Sequence, residues 1–439
     1  MIGYIVIIVL FLILFFSYTT SKNLNLFCTI FLLAALSLKF ILFKLNFPYA
    51  SLAIVFLFLI ILILILLNIN KILNTKYSKI IILSQFLFLV YILTTGMLRG
   101  NVFYIIDLTK FCFFGAFLFL LIISSKKKID IYSINHSIAI FTILLSILGV
   151  IQFFIPSSSS FFVIDLSEFG YEQTKTDLDI FKRVVGLSPS TTTYGNLLAV
   201  LLVYLIAVRN KVFYNKKIFL YTGILIGFIA VLITGVRTSL VSLLFGVLLI
   251  SIFNNDKQLL KFLSLSIIVI VFSWQTLFLI GENYNASNEG FSNPIGRSMQ
   301  LFSLFQNSEI NTRSTFSLTV ESFDEFLKNP FFGTGNEMKW LQYYSITDAY
   351  LIYHLIQIGF IGIIILFFPY FKIINNKVLK VLFLILVLQT ITDTGIFTND
   401  TNLIFWIIAA ISIKKEKYVF YRQKNVLRET LLINQNINN

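Results

Sequence analysis

The residues best suited to chemistry in this chain are arginines, and their placement is unusual. Once the chain is threaded through a membrane, Arg99, Arg183, Arg237, Arg297 and Arg313 fall on the side opposite the lysine clusters. Only Arg209, Arg422 and Arg428 fall on the lysine side. Cationic side chains normally gather on the cytoplasmic side of a membrane protein, so a set of arginines on the other side needs a physical reason. Guanidinium offers one, because its planar fork binds phosphate oxygens in pairs and stays charged even when partly buried. An outer cluster of this kind suits a pyrophosphate ligand at the membrane surface. The simpler alternative is pairing with loop acids such as Asp177, Asp179 or Glu321. That pairing is worth little at an exposed site. Arg237 resists it best, since it sits in the short corner TGVRTS with no carboxylate near it in sequence. A half-buried cation there needs a partner, from a distant loop or from a ligand.

Asp348 is the matching candidate for acid–base work. It stands where a polar segment meets an apolar one, a position from which a carboxylate could accept a proton from an attacking hydroxyl. Thr347 or Asp348 could equally cap the helix that follows. The two roles are compatible. Glu321, Asp324 and Glu325 fall on the polar side of an amphipathic pattern whose apolar stripe is Phe316, Val320, Phe323 and Leu327. That pattern predicts a helix lying along the membrane surface with a solvated acidic face. His354 falls inside an apolar span and reads as a packed, hydrogen-bonded core residue.

The elements that must hold these residues are membrane spans. The 439-residue chain is 58% hydrophobic and 12% charged, with mean hydropathy +0.89. Soluble domains carry about 25% charged residues, so the chain reads as an all-α polytopic membrane protein, a single membrane domain over 1–439. Apolar windows long enough to cross a bilayer are expected at 2–18, 26–43, 49–69, 79–97, 103–124, 137–155, 192–208, 217–235, 238–254, 262–280, 349–371, 380–395 and 402–413. These amount to about 12 or 13 spans. The first window lacks a basic leader and a small-residue cleavage site, and is expected to be a retained helix.

Lysine runs such as Lys126-Lys127-Lys128, Lys216-Lys217 and Lys414-Lys415 mark cytoplasmic connections. Alternation then puts 156–191 and the large loop 281–348 outside, with a cytoplasmic tail over 414–439. Confinement of the +14 net charge to these connections argues against a nucleic-acid partner. Cys28 and Cys112 lie within spans and offer no disulfide framework. His136 and His354 are too far apart for a histidine metal site, and no cofactor is expected. Asp107 and Lys110, three residues apart in one span, can pair on one helix face. No internal repeat is visible, which argues against a transporter built from inverted halves.

Four local patterns in order give the chain a resemblance. Arg183 leads to Gly186 and Pro189, and Thr234, Gly235 and Arg237 make a corner between spans. Arg313 precedes an amphipathic stretch and the turn Pro330, Gly333, Gly335, and Asp348 opens a span containing Gly359 and Gly362. Over about residues 180–365 the chain resembles the O-antigen polymerase and O-antigen ligase superfamily of bacterial envelope polysaccharide assembly. The resemblance implies a GT-C-like helical fold in the inner membrane, with its active face periplasmic. It implies glycosyl transfer between sugars carried on undecaprenyl pyrophosphate, with Arg183, Arg237 and Arg313 on the diphosphate and Asp348 as catalytic base. A chain-length regulator would be a possible partner. Ligases of the group typically carry His-Asn where this chain has Asp348-Ala349, and often an acid where Gln357 stands. That departure favours a polymerase over the ligase that moves polysaccharide onto lipid A core. A lipid-linked oligosaccharide flippase is the alternative from another class. The long outer loop argues against it.

Overall fold

The computed structural model describes residues 2–21, 23–45, 53–75, 77–98, 102–154, 184, 186–188, 191–209, 212, 217–256, 326–333, 350–392 and 401–414. Among them the fold is helical throughout, with no strand and one isolated bridge between Asn23 and Lys128. The helices are α1 (Ile2–Thr19), α2 (Asn25–Lys44), α3 (Ala53–Leu67), α4 (Ile69–Leu73), α5 (Ser78–Leu98) and α6 (Val102–Ser124). They continue with α7 (Ile131–Phe154), α8 (Thr191–Val208), α9 (Lys217–Ile233), α10 (Arg237–Phe253), α11 (Tyr350–Ile373), α12 (Lys377–Thr392) and α13 (Thr401–Lys414). Among the described residues, four segments are long and apolar enough to cross a membrane: Ser78–Met97, Ile131–Phe154, Thr191–Val208 and His354–Ile373. The expected span at 262–280, most of 156–191, most of 281–348 and nearly all of the tail 414–439 lie outside the described residues. The side chains of Asp107 and Lys110 do too.

Apolar patterning predicts most helix ends within a few residues, but α7 starts six residues before the expected 137. Its first turns, IYSINHS, are too polar for a hydropathy window. They are helical because Asp130 caps them, its carboxylate accepting from the Tyr132 amide at 3.1 Å. The apolar run expected at 49–69 ends at Leu67, and α4 follows it. There Asn68 turns its side-chain amide back onto the Leu64 carbonyl at 2.9 Å.

Cationic residues gather at one end of the bundle. Lys127 donates to the carbonyls of Tyr18 and Thr19 at the end of α1, where the helix dipole favours a cation. Lys414 donates to Ile122 at the end of α6 at 3.1 Å, and Lys377 to Phe253 at the end of α10. Arg209, just past α8, pairs with Asp256, just past α10. Tyr204 bonds Asn135 at 2.7 Å, tying the last turns of α8 to the first turns of α7. Arg237, at the first position of α10, therefore stands at the opposite end.

Packing between helices follows the rule for bilayers, where lipid is as apolar as leucine and close contact does the work. Gly246 lets α10 approach Val203 of α8 and Ile385 of α12. Gly115 of α6 receives the Trp406 indole, whose ring lies 4.9 Å from that of Tyr370 and 5.4 Å from that of Phe119. The polar edges of that cluster are satisfied internally. Trp406 Nε1 donates to the Tyr370 hydroxyl at 3.3 Å, which donates to Asn402 Oδ1 at 2.7 Å.

Candidate functional site

The corner between α9 and α10 is built by three residues. The Thr234 hydroxyl donates to the Val231 carbonyl at 2.6 Å and accepts from the Val236 amide at 3.2 Å. Gly235 takes φ +68, which a side chain would resist, and closes the turn. Val236 is extended, and Arg237 begins α10, half-buried and engaged with a partner in the protein. A cation at a helix N-terminus works against the macrodipole. The same position draws anions, through the dipole and the unsatisfied amides of the first turn.

Beneath Arg237 lies a polar seam that sequence reasoning did not single out. Ser239 Oγ donates to Asn196 Oδ1 at 2.8 Å, and Gln389 Nε2 donates to the Asn196 carbonyl at 3.2 Å. Asn196, Ser239, Ser242 and Gln389 are fully buried between α8, α10 and α12. Ser242 Oγ and Gln389 Oε1 have no hydrogen-bond partner among the described residues. A signal was present, for Ser239 and Ser242 recur at helical spacing within an apolar span, and polar residues inside membranes are expensive.

The first turn of α8 joins two of the sequence patterns. Tyr194 packs on Gly186, where an added Cβ would meet the ring at 2.2 Å, and its hydroxyl donates to Leu145 at 2.5 Å. The Gln152 side chain pairs with Gly186 in both directions, accepting from its amide at 2.9 Å and donating to its carbonyl at 3.0 Å. The adjacent Gly195 faces the other way, against Ser239 Oγ and Thr234 Oγ1. Consecutive residues of α8 thus hold the Gly186 turn on one side and the Arg237 corner on the other.

The remaining two patterns also meet. Helix α11 breaks at Gly359, with φ 62 and ψ −177, instead of using Gly359 and Gly362 only for close packing. The break strands the amides that begin its second half, and the turn at Pro330 supplies their acceptors. Phe360 donates to Pro330 at 2.9 Å and Ile361 to Phe331 at 3.1 Å. Tyr91 of α5 reaches the same point, its hydroxyl bonding the carbonyls of Ile358 at 2.5 Å and Phe332 at 3.1 Å. Just before the break, His354 is buried with Nδ1 2.8 Å from Gln357 Oε1.

Of the residues singled out by sequence, the structure places Arg237. Arg183, Arg313 and Asp348 lie outside the described residues. No protein-family model matches the chain, and a search of curated proteins finds no match.

Proposed function

We propose that the chain is a polysaccharide polymerase of the O-antigen type, joining undecaprenyl-pyrophosphate-linked repeat units on the periplasmic face of the bacterial inner membrane. In this reading the fold is GT-C-like with about 12 or 13 spans, and 281–348 is a large periplasmic loop. The observation that carries it is Arg237. It heads α10 at the end of the bundle away from the lysines, above a buried polar seam, on a corner braced against the Gly186 turn.

The reaction needs no metal or nucleotide. A sugar hydroxyl of one lipid-linked repeat attacks the anomeric carbon of another chain. The bond from that carbon to the pyrophosphate oxygen breaks, and its electron pair leaves with the lipid diphosphate. Negative charge grows on the leaving group, so fixed guanidinium groups beside it stabilise the transition state more than the ground state. Arg183, Arg237 and Arg313 take that role, and Asp348 takes the hydroxyl proton.

Two experiments test this reading. Cysteines placed at Ser287 and Asn436 should react oppositely with a membrane-impermeant thiol reagent, Ser287 labelling in intact spheroplasts and Asn436 only after lysis. Labelling of Asn436 in intact spheroplasts would turn the proposed face inward.

The second concerns Asp348. Cells carrying Asp348→Ala should show core bearing one repeat and no ladder, because a separate ligase still transfers single repeats. Asp348→Asn should be nearly as defective if the carboxylate takes a proton, since the amide keeps shape without basicity. It should remain active if the residue only caps α11, because Asn caps about as well as Asp. Bare core with accumulated lipid-linked polymer would make the protein a ligase.

A further inference from the structure

We propose that the turn Phe326–Gly333 is a re-entrant element that sits within the bilayer, with its Phe331 and Phe332 side chains against lipid acyl chains. The inference does not rest on the enzymatic reading. Three observations lead to it: depth, hydrogen bonding and the exposed surface.

Depth comes from the two helices that hold the turn. Its contacts on α11 fall at Gly359, Phe360 and Ile361, and that helix begins at Tyr350. At 1.5 Å per residue, Gly359 lies about 14 Å inside it. Tyr91 of α5, which bonds Phe332, precedes the end of that helix at Leu98 by seven residues, or about 10 Å. Two independent helices place the turn well below the end of each.

Irregular backbone survives at that depth only if its polar groups are paired within the protein. Here the carbonyls of Asn329, Pro330 and Phe331 each have a donor of their own. The Gly333 amide serves Asn329 at 2.8 Å, Phe360 serves Pro330 and Ile361 serves Phe331, while Phe332 shares the Tyr91 hydroxyl with Ile358. Pro330 has no amide to satisfy. The pairing is reciprocal, because the same bonds satisfy the amides exposed by the break in α11. Neither the turn nor the broken helix is suited to lipid alone. Each supplies partners that the other lacks.

The surface agrees. Phe326 is buried against Phe360, its ring edge-on at 5.1 Å, and anchors the turn. Phe331 and Phe332 point outward, 63% and 52% exposed. Along α11 the exposed side chains Phe360, Ile364, Phe368 and Phe371 recur at helical spacing and make one apolar face. The turn prolongs that face towards the membrane surface, so the solvent that covers one covers the other. Lys328 is the turn's one charge, and its exposed four-carbon stem can carry the ammonium up to the headgroups.

The test uses the full chain in vesicles of phosphatidylcholine and phosphatidylglycerol, with Cys28 and Cys112 replaced by alanine. An environment-sensitive fluorophore is attached to Phe331→Cys or Phe332→Cys, with Lys126→Cys, exposed in the connection between α6 and α7, as the water reference and iodide present on both sides of the vesicle. Both turn positions should emit as in hydrocarbon, be quenched by nitroxides near the top of the acyl chain, and be several-fold less accessible to iodide than position 126. Iodide quenching equal to that at position 126 overturns the proposal. A second measurement needs no substitution. Photoactivated diazirine acyl chains should attach to the peptide containing Phe331 and Phe332 as they do to the one containing Ile364. Adducts at Ile364 with none in the turn would place the turn in water and reject it.

Discussion

Gly359→Ala is expected to remove most of the folded protein from the membrane. The residue combines φ 62 with ψ −177, a conformation essentially restricted to glycine. A Cβ there would also lie 2.3 Å from the Phe331 carbonyl oxygen and 2.5 Å from the Gly333 nitrogen. Both are backbone atoms of the docked turn and cannot swing aside. Backbone strain of about 1–3 kcal/mol adds to loss of the bonds that cap the second half of α11. The sum is a large fraction of a total stability of about 5–15 kcal/mol. Gly362→Ala provides the graded comparison, since its Cβ would meet only side-chain atoms, of Ile358 and Tyr91. Gly333, at φ +71 and with an added Cβ 2.5 Å from the Gln357 carbonyl oxygen, should behave like Gly359. Combining the Gly333 and Gly359 substitutions should cost less than their sum, because both undo one joint. Protein level and thermal unfolding in detergent give the measurement. A Gly359→Ala protein with parental level and melting temperature would mean that α11 is unbroken.

That joint shows where sequence reading reaches its limit. Helix ends were legible wherever an apolar run stopped at charge or glycine, as at Ser124 or Val208. The start of α7 was not, because the cap made by Asp130 outweighed a first stretch too polar for a hydropathy window. At Gly359 the local signal, a Gly-x-x-Gly pair three positions apart, fits close packing as well as a break. What decides is a turn distant in sequence whose carbonyls happen to be available, and no window along the chain contains both. The same holds for the seam under Arg237. Asn196, Ser239 and Gln389 come from three helices, and only folding makes them neighbours. Arg237 itself was legible because it violates a rule of charge placement, and such violations are visible in one dimension. The order of the four patterns was legible too, whereas their meeting in two pairs was not.

Arg237 also carries the largest expected effect on activity. Arg237→Ala should abolish the polysaccharide ladder, with a loss on the order of 100-fold or more, as for removal of a group that stabilises transition-state charge. Arg237→Lys should restore little, because an ammonium cannot present two parallel donors to a diphosphate. Stability separates this role from a structural one. As the first residue of α10, the guanidinium opposes the helix dipole, and its removal should leave melting unchanged or raise stability by about 0.3–1 kcal/mol. If instead its partner within the protein is its purpose, Arg237→Ala should lower the melting temperature while polymer persists. The proposed role thus requires two results together: lost polymer and undiminished thermal stability at normal protein level. Normal ladder lengths from Arg237→Ala cells would remove the diphosphate from this corner, and with it the observation on which the enzymatic reading stands.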